Sequence, residues 1–123
     1  MTVLIVDDSP PFRALIRTVL AGLADDVQEC ADGEEALAVY GARRPDWVLM
    51  DLQMARMGGL EATRRLVAHD RSARVLIVTD YDDVHWRAAA ADAGACGYVL
   101  KENLLDVRRL LDPAGASAPP GNR

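Results

Sequence analysis

Residues 48–59 read VLMDLQMARMGG, a short apolar run closed by Asp51 and followed by a loop that ends in two glycines. A carboxylate at the end of a buried strand needs a partner, because an unpaired charge out of water costs several kcal/mol or titrates to its neutral form. Alone, Asp51 reads as readily as a helix N-cap or a turn residue. Its meaning depends on what the rest of the chain brings beside it.

Outward from this stretch the same pattern repeats. VLIV at 3–6, WVLM at 47–50, VLIV at 75–78 and YVL at 98–100 are short apolar runs of buried-strand type, with a less regular fifth candidate at 27–31. Between them lie helical patterns. Phe12, Leu15, Ile16, Val19, Leu20 and Leu23 line one helix face, and Pro10 and Pro11 suit a first turn. Further helices are predicted over 34–43, 60–69, 83–93 and 103–111, closed by signals such as Pro45, Gly94 and Pro113. Five strands alternating with five helices predict a doubly wound α/β domain, since parallel strands need crossovers and right-handed crossovers cover both faces of the sheet.

A chain of 123 residues fits one domain that buries roughly two-thirds of its unfolded surface. The reading is a single domain over residues 1–111. The remainder, DPAGASAPPGNR at 112–123, has three prolines and two glycines and reads as a disordered tail. No run approaches the roughly 20 apolar residues of a membrane span, and the start MTVLIVDD lacks the charge of a signal peptide, so the expected location is the cytoplasm. Cys30 and Cys96 stand far apart without a CxxC pattern, which favours reduced core thiols over a disulfide or zinc site. The net charge of -5, with arginines spread along the chain, provides no basic stripe for nucleic acid.

Each apolar run is followed by a chemically useful residue: Asp7 and Asp8, Asp51, Thr79, and Lys101. In a parallel sheet the C-terminal ends of all strands share one edge, where ligand crevices form at the point of strand-order reversal. These five residues are therefore predicted to converge. Three carboxylates in one place repel. Lys101 supplies one compensating charge, and hard oxygen donors without nearby Cys or His point to Mg²⁺ rather than zinc as a further cation. A carboxylate facing such a site is able to attack phosphorus and become an acyl phosphate, which makes Asp51 the expected phosphoacceptor. The bland alternative makes Asp7 and Asp8 helix caps, Thr79 a strand terminator and Lys101 a solvated end; it suits each residue singly better than all together.

The stretches VLIVDDSPPFR, ADGEEAL, WVLMDLQMARMGGLEA, VLIVT and GACGYVLKENL, in this order and spacing, resemble the receiver domain of two-component response regulators over residues 2 to 111. The resemblance implies a flavodoxin-like fold of strand order 2-1-3-4-5, in which Asp51 accepts a phosphoryl group from a phosphohistidine on a sensor histidine kinase or phosphotransfer protein. It implies that Asp8 binds Mg²⁺ directly and Asp7 mainly through water, with Asp51 and the backbone carbonyl of Gln53 completing the protein ligands. Lys101 pairs with the phosphoryl oxygens, Thr79 hydrogen-bonds one of them, and Tyr98 packs inward as the switch aromatic. Gln53 and Tyr81 occupy positions that tune phosphoryl lifetime in the family. Output is expected through the face of strand 4, helix 4, strand 5 and helix 5, toward a downstream protein or a second copy.

The chain departs from the family pattern in three places. Ala55 stands where Pro is common, which makes the loop beside the site less restrained. Asp80 stands where a small residue is common and is expected to point into solvent. Glu102 replaces the usual Pro after the lysine, as in the branch whose receivers often precede a helix-turn-helix domain. No such domain lies within these 123 residues, which leaves a stand-alone receiver or a piece of a longer regulator. Gly58 and Gly59 read as a turn admitting positive φ, and His69 and His85 as exposed helix residues. Competing readings are a degenerate receiver serving as a constitutive interaction or dimerisation module and, below it, an aspartyl-phosphate phosphatase. The leading reading has the domain catalyse its own phosphorylation and dephosphorylation without turning over an external substrate.

Overall fold

The computed structural model describes residues 1–116. Within them the chain runs β1 (Thr2–Val6), α1 (Pro10–Leu20), β2 (Asp26–Cys30), α2 (Gly33–Arg43), β3 (Trp47–Met50), α3 (Gly59–His69), β4 (Val75–Thr79), α4 (Val84–Ala93), β5 (Gly97–Leu100), a 3₁₀ turn (Lys101–Asn103), α5 (Leu105–Leu111) and α6 (Pro113–Ala116). The strands form one parallel sheet of order β2-β1-β3-β4-β5. This is the predicted doubly wound architecture.

The period-two alternation of each strand sorts its side chains between two apolar layers. Leu4, Val6, Val48, Met50, Val75 and Ile77 pack against Ala36 and Tyr40 of α2, Ala62 and Leu66 of α3, and Ala90 of α4. On the other face, Val3, Ile5, Leu49, Leu76, Val78 and Val99 pack against Ile16 and Leu20 of α1 and Val107 and Leu111 of α5. Burial on both faces explains why the central strands are continuous apolar runs. Strand β2 pairs only with β1; this edge position accounts for its mixed sequence, DVQEC.

Several boundaries differ from expectation for local reasons. Helix α1 stops at Leu20, because the chain turns through Gly22 at φ +81°; Leu23 still packs against the core from beyond the helix end. The predicted fifth helix begins as a 3₁₀ turn before α5. Where the composition predicts no packed element, Pro113 opens the short α6, with Asp112 Oδ1 accepting the Ala114 amide at 2.9 Å. Residues 117–123, the rest of the predicted disordered tail, lie outside the described residues.

The two glycines after the Asp51 loop correct a sequence expectation. Gly58 sits at φ -76°, and the positive φ in this loop falls instead on Arg56, at 63°. Gly59 is required by close approach: a Cβ there would lie 2.0 Å from the Asp51 carbonyl oxygen. Its amide closes the loop onto Leu52 O at 3.0 Å.

Candidate functional site

The strand order reverses between β1 and β3, and the residues that follow these two strands meet at the C-terminal edge of the sheet. Backbone bonds carry the sheet past its formal ends: the Asp7 amide donates to Cys30 O at 3.1 Å and the Asp51 amide to Val6 O at 3.0 Å. Both aspartates are thereby fixed by the sheet itself. The carboxylates of Asp7, Asp8 and Asp51 each present an oxygen within 4.8 Å of the others.

The three are not equivalent. Asp7 is 2% exposed; one of its oxygens accepts the Ser9 amide at 2.8 Å and the other faces Lys101 Nζ at 2.9 Å. Asp51 is 7% exposed, takes its own neighbour's amide, Leu52 N, at 2.8 Å, and lies 3.5 Å from Lys101 Nζ. Asp8 is exposed, and its carboxylate has no protein partner among the described residues. Burial pushes the Asp51 carboxyl up to about 6; Lys101 pulls it down and the charge of Asp7 pushes it up again. Burial works against the Lys101 charge, but the bond to Asp7 and the charges of Asp51, Asp7 and Asp80 outweigh it and raise the Lys101 pKa.

Lys101 sits at the start of the 3₁₀ turn directly after β5, and the ring of Phe12 lies beneath its ammonium at 4.2 Å. Arg13, one residue on, donates to Asp7 O at 2.5 Å and to Glu29 of β2 at 2.7 Å, and Glu29 also pairs with Arg17. These aromatic and guanidinium supports were not legible as site residues in the sequence; the only hint was the clustering of Phe12, Arg13 and Arg17 just downstream of Asp7 and Asp8.

Thr79 ends β4 fully buried, and its Oγ1 accepts the Tyr81 amide at 3.4 Å. The Tyr81 carbonyl in turn accepts the Tyr98 hydroxyl at 2.5 Å. Tyr81 therefore links the hydroxyl of Thr79 to the aromatic of β5 by two hydrogen bonds. The Tyr98 ring is half-buried beneath the Arg87 guanidinium at 4.5 Å, while Arg87 also pairs with Asp82 at 3.1 Å. Tyr81 stacks on Trp86 with ring centroids 5.6 Å apart.

Gln53 is exposed on the loop two residues beyond Asp51, and its carbonyl accepts no hydrogen bond among the described residues. Ala55 is exposed, as is Asp80, matching its expected outward orientation although its charge still reaches Lys101. His69 closes α3 and His85 lies in the first turn of α4, both exposed.

The donors suit a hard divalent cation. All are oxygens, the clustered carboxylates have one ammonium between them, and the outermost carboxylate is unpartnered. A family model described as the response regulator receiver domain matches residues 3–112. The chain belongs to the response regulator receiver family. The response regulator MprA of Mycolicibacterium vanbaalenii is 37% identical over an alignment covering 94% of this chain and 55% of that protein. The transcriptional regulatory protein DegU of Brevibacillus brevis is 32% identical, covering 97% of this chain and 50% of its own length. This receiver thus spans about half the length of the curated relatives it matches. Among solved structures, a two-component response regulator of the LuxR family from Aurantimonas sp. SI85-9A1 superposes with a TM-score of 0.81 at 33% identity, over 94% of this chain and 91% of that one.

Receiver domains are the phosphorylation-switched modules of two-component signalling and bind Mg²⁺ at an acidic pocket; response regulators take their signal from histidine kinases and pass it to output domains. Among the described residues no helix is long and apolar enough to cross a membrane.

Proposed function

We propose that Asp51 is the phosphoacceptor of this receiver and that Asp7, Asp8, Asp51 and the Gln53 carbonyl hold Mg²⁺ beside it. The observation that carries the reading is the clustering of three carboxylates within 4.8 Å around an ammonium that reaches both Asp7 and Asp51. In the transfer an Asp51 oxygen attacks phosphorus; the new O–P bond forms as the N–P bond of a phosphohistidine breaks and the imidazole leaves. Bound Mg²⁺ would neutralise charge on the carboxylates and on the incoming phosphoryl oxygens.

The protein's own groups do the rest. Lys101, held between Phe12 and the two aspartates, supplies a fixed positive charge for a phosphoryl oxygen. Thr79 gives up its bond from Tyr81 and donates to another oxygen, which loosens the tie to Tyr98 and its Arg87 cover. The output face is then the end of β4 with α4, β5 and α5, where Val84, Leu105 and Leu110 are exposed apolar residues at 72%, 69% and 47%. A downstream protein or a second copy docks there, without direct contact to nucleic acid by this chain. The reading carries with it a cytoplasmic setting, in keeping with two free cysteines, of which Cys30 lies in the core and Cys96, against expectation, is exposed; a single receiver domain over 1–111; and self-phosphorylation and self-dephosphorylation without an external substrate.

Mass spectrometry after incubation with acetyl phosphate tests the assignment. One added phosphoryl group is expected on the wild type in Mg²⁺, and none on Asp51→Asn or in excess chelator. Equal labelling of Asp51→Asn would sink it.

A further inference from the structure

The loop from Asp51 to Gly58 has no regular structure, yet its far end is tied to the neighbouring helix at two points. Met57 O accepts the Gly33 amide at 3.0 Å, and a Cβ on Gly33 would lie 2.8 Å from that oxygen, so the loop rests directly on the first turn of α2. Arg56 donates through Nε to Asp32 Oδ2 at 3.0 Å and through Nη2 to the same oxygen. The other oxygen of Asp32 caps α2 by accepting the Glu35 amide at 3.0 Å.

Two features separate this pair from an ordinary surface ion pair. The Asp32 side chain is only 8% exposed, and Arg56 is its one cationic partner among the described residues. Arg56 also holds φ at 63°, a conformation that L side chains disfavour and glycine adopts freely. Such a conformation persists where the surroundings over-determine it; here the guanidinium on Asp32 does so together with the bond from the Gly33 amide to the adjoining Met57 carbonyl. Between this anchor and Asp51 lie Leu52, Gln53, Met54 and Ala55, with no backbone bond from Gln53 to the rest of the protein among the described residues.

We propose that Arg56 is a positioning residue: its clamp on Asp32 fixes the outer half of the Asp51 loop and so preorganises the Gln53 carbonyl as a metal ligand. The clamp rests on the metal reading given above and adds to it a support outside the cluster of ligands. It also makes the first turn of α2 part of the site's scaffold.

The test uses Arg56→Gly, which relieves the backbone while removing the guanidinium, and Asp32→Asn, which keeps a capping oxygen but removes the charge. Mg²⁺ titrations followed by amide NMR should show about a 10-fold weaker Kd for Arg56→Gly, the lower range seen when a group supporting a metal ligand is lost. The thermal midpoint should stay near wild type, and exchange at the Gly33 amide should quicken. Asp32→Asn should weaken Mg²⁺ in the same direction, the double variant should be no worse than the poorer single one, and Arg56→Lys should recover part of the loss. A merely structural pair would lower the midpoint and leave the Kd of the folded protein unchanged, and that outcome overturns the clamp. A wild type that binds no Mg²⁺ overturns the metal reading and the clamp with it; a wild type that binds while Arg56→Gly and Asp32→Asn bind equally well overturns the clamp alone.

Discussion

As the proposed phosphoacceptor, Asp51 faces opposing demands: burial disfavours its charge, and attack on phosphorus requires that charge. In metal-free protein its carboxyl titrates near 6, against an ordinary 3.8. Between those values the folded state holds a proton that the unfolded chain has released, so stability falls as pH rises through this window and the loss is complete above the folded pKa. The full effect is at most about 3 kcal/mol. Metal-free Asp51→Asn should therefore be more stable than wild type at pH 7.5, with the difference closing toward pH 4, as urea unfolding at both pH values can measure. Equal stability at pH 7.5 would show that the buried charge is already compensated by Lys101. The affinity for Mg²⁺ should climb through the same window, because the metal competes with the proton.

At the scale of elements, the end of β4 is joined to Tyr98 of β5 through the Tyr81 backbone, which takes the Tyr98 hydroxyl and gives its amide to Thr79. Thr79→Ala should still be phosphorylated yet convert phosphorylation into surface change only in part. Moving a two-state protein from 1:99 to 99:1 takes about 5.5 kcal/mol, and one charge-assisted hydrogen bond supplies roughly 1.5–3 kcal/mol. Amide shifts in α4 and β5 with a beryllofluoride phosphoryl mimic should therefore stop short of their wild-type displacement; a full displacement would mean that Thr79 does not drive Tyr98. Tyr98, which opens the run YVL, was marked only by the family resemblance; Thr79 was legible because it follows an apolar run, and a strand's end is where sequence marks position most plainly. The relay's middle link was not, since Tyr81 acts through its backbone, which has no side-chain signature. The Arg56–Asp32 pair was hidden for a related reason: the two residues are 24 positions apart, and neither belongs to a periodic pattern. Edge strand β2 was the least regular reading because a strand with one neighbour need not be apolar on both faces.

Over the whole molecule, a ligand that binds only the folded chain adds its binding free energy to stability. Mg²⁺ at 100 times its Kd should stabilise the receiver by about 2.7 kcal/mol, seen as a higher urea midpoint with an unchanged slope, and chelator should reverse it. An unmoved midpoint at saturating Mg²⁺ would mean that the acidic edge holds no metal. The two tryptophans stand in quite different parts of this architecture. Trp47 opens β3 at the far end of the sheet, with the Arg74 guanidinium 4.6 Å from its ring. Trp86 instead stacks on Tyr81, the residue whose backbone joins Thr79 to Tyr98. Under the proposed switch the protein carries its own optical gauge: one indole stands at the joint through which Thr79 would release Tyr98, and the other at the opposite end of the sheet serves as an internal reference, so that emission can follow the switch without an attached dye.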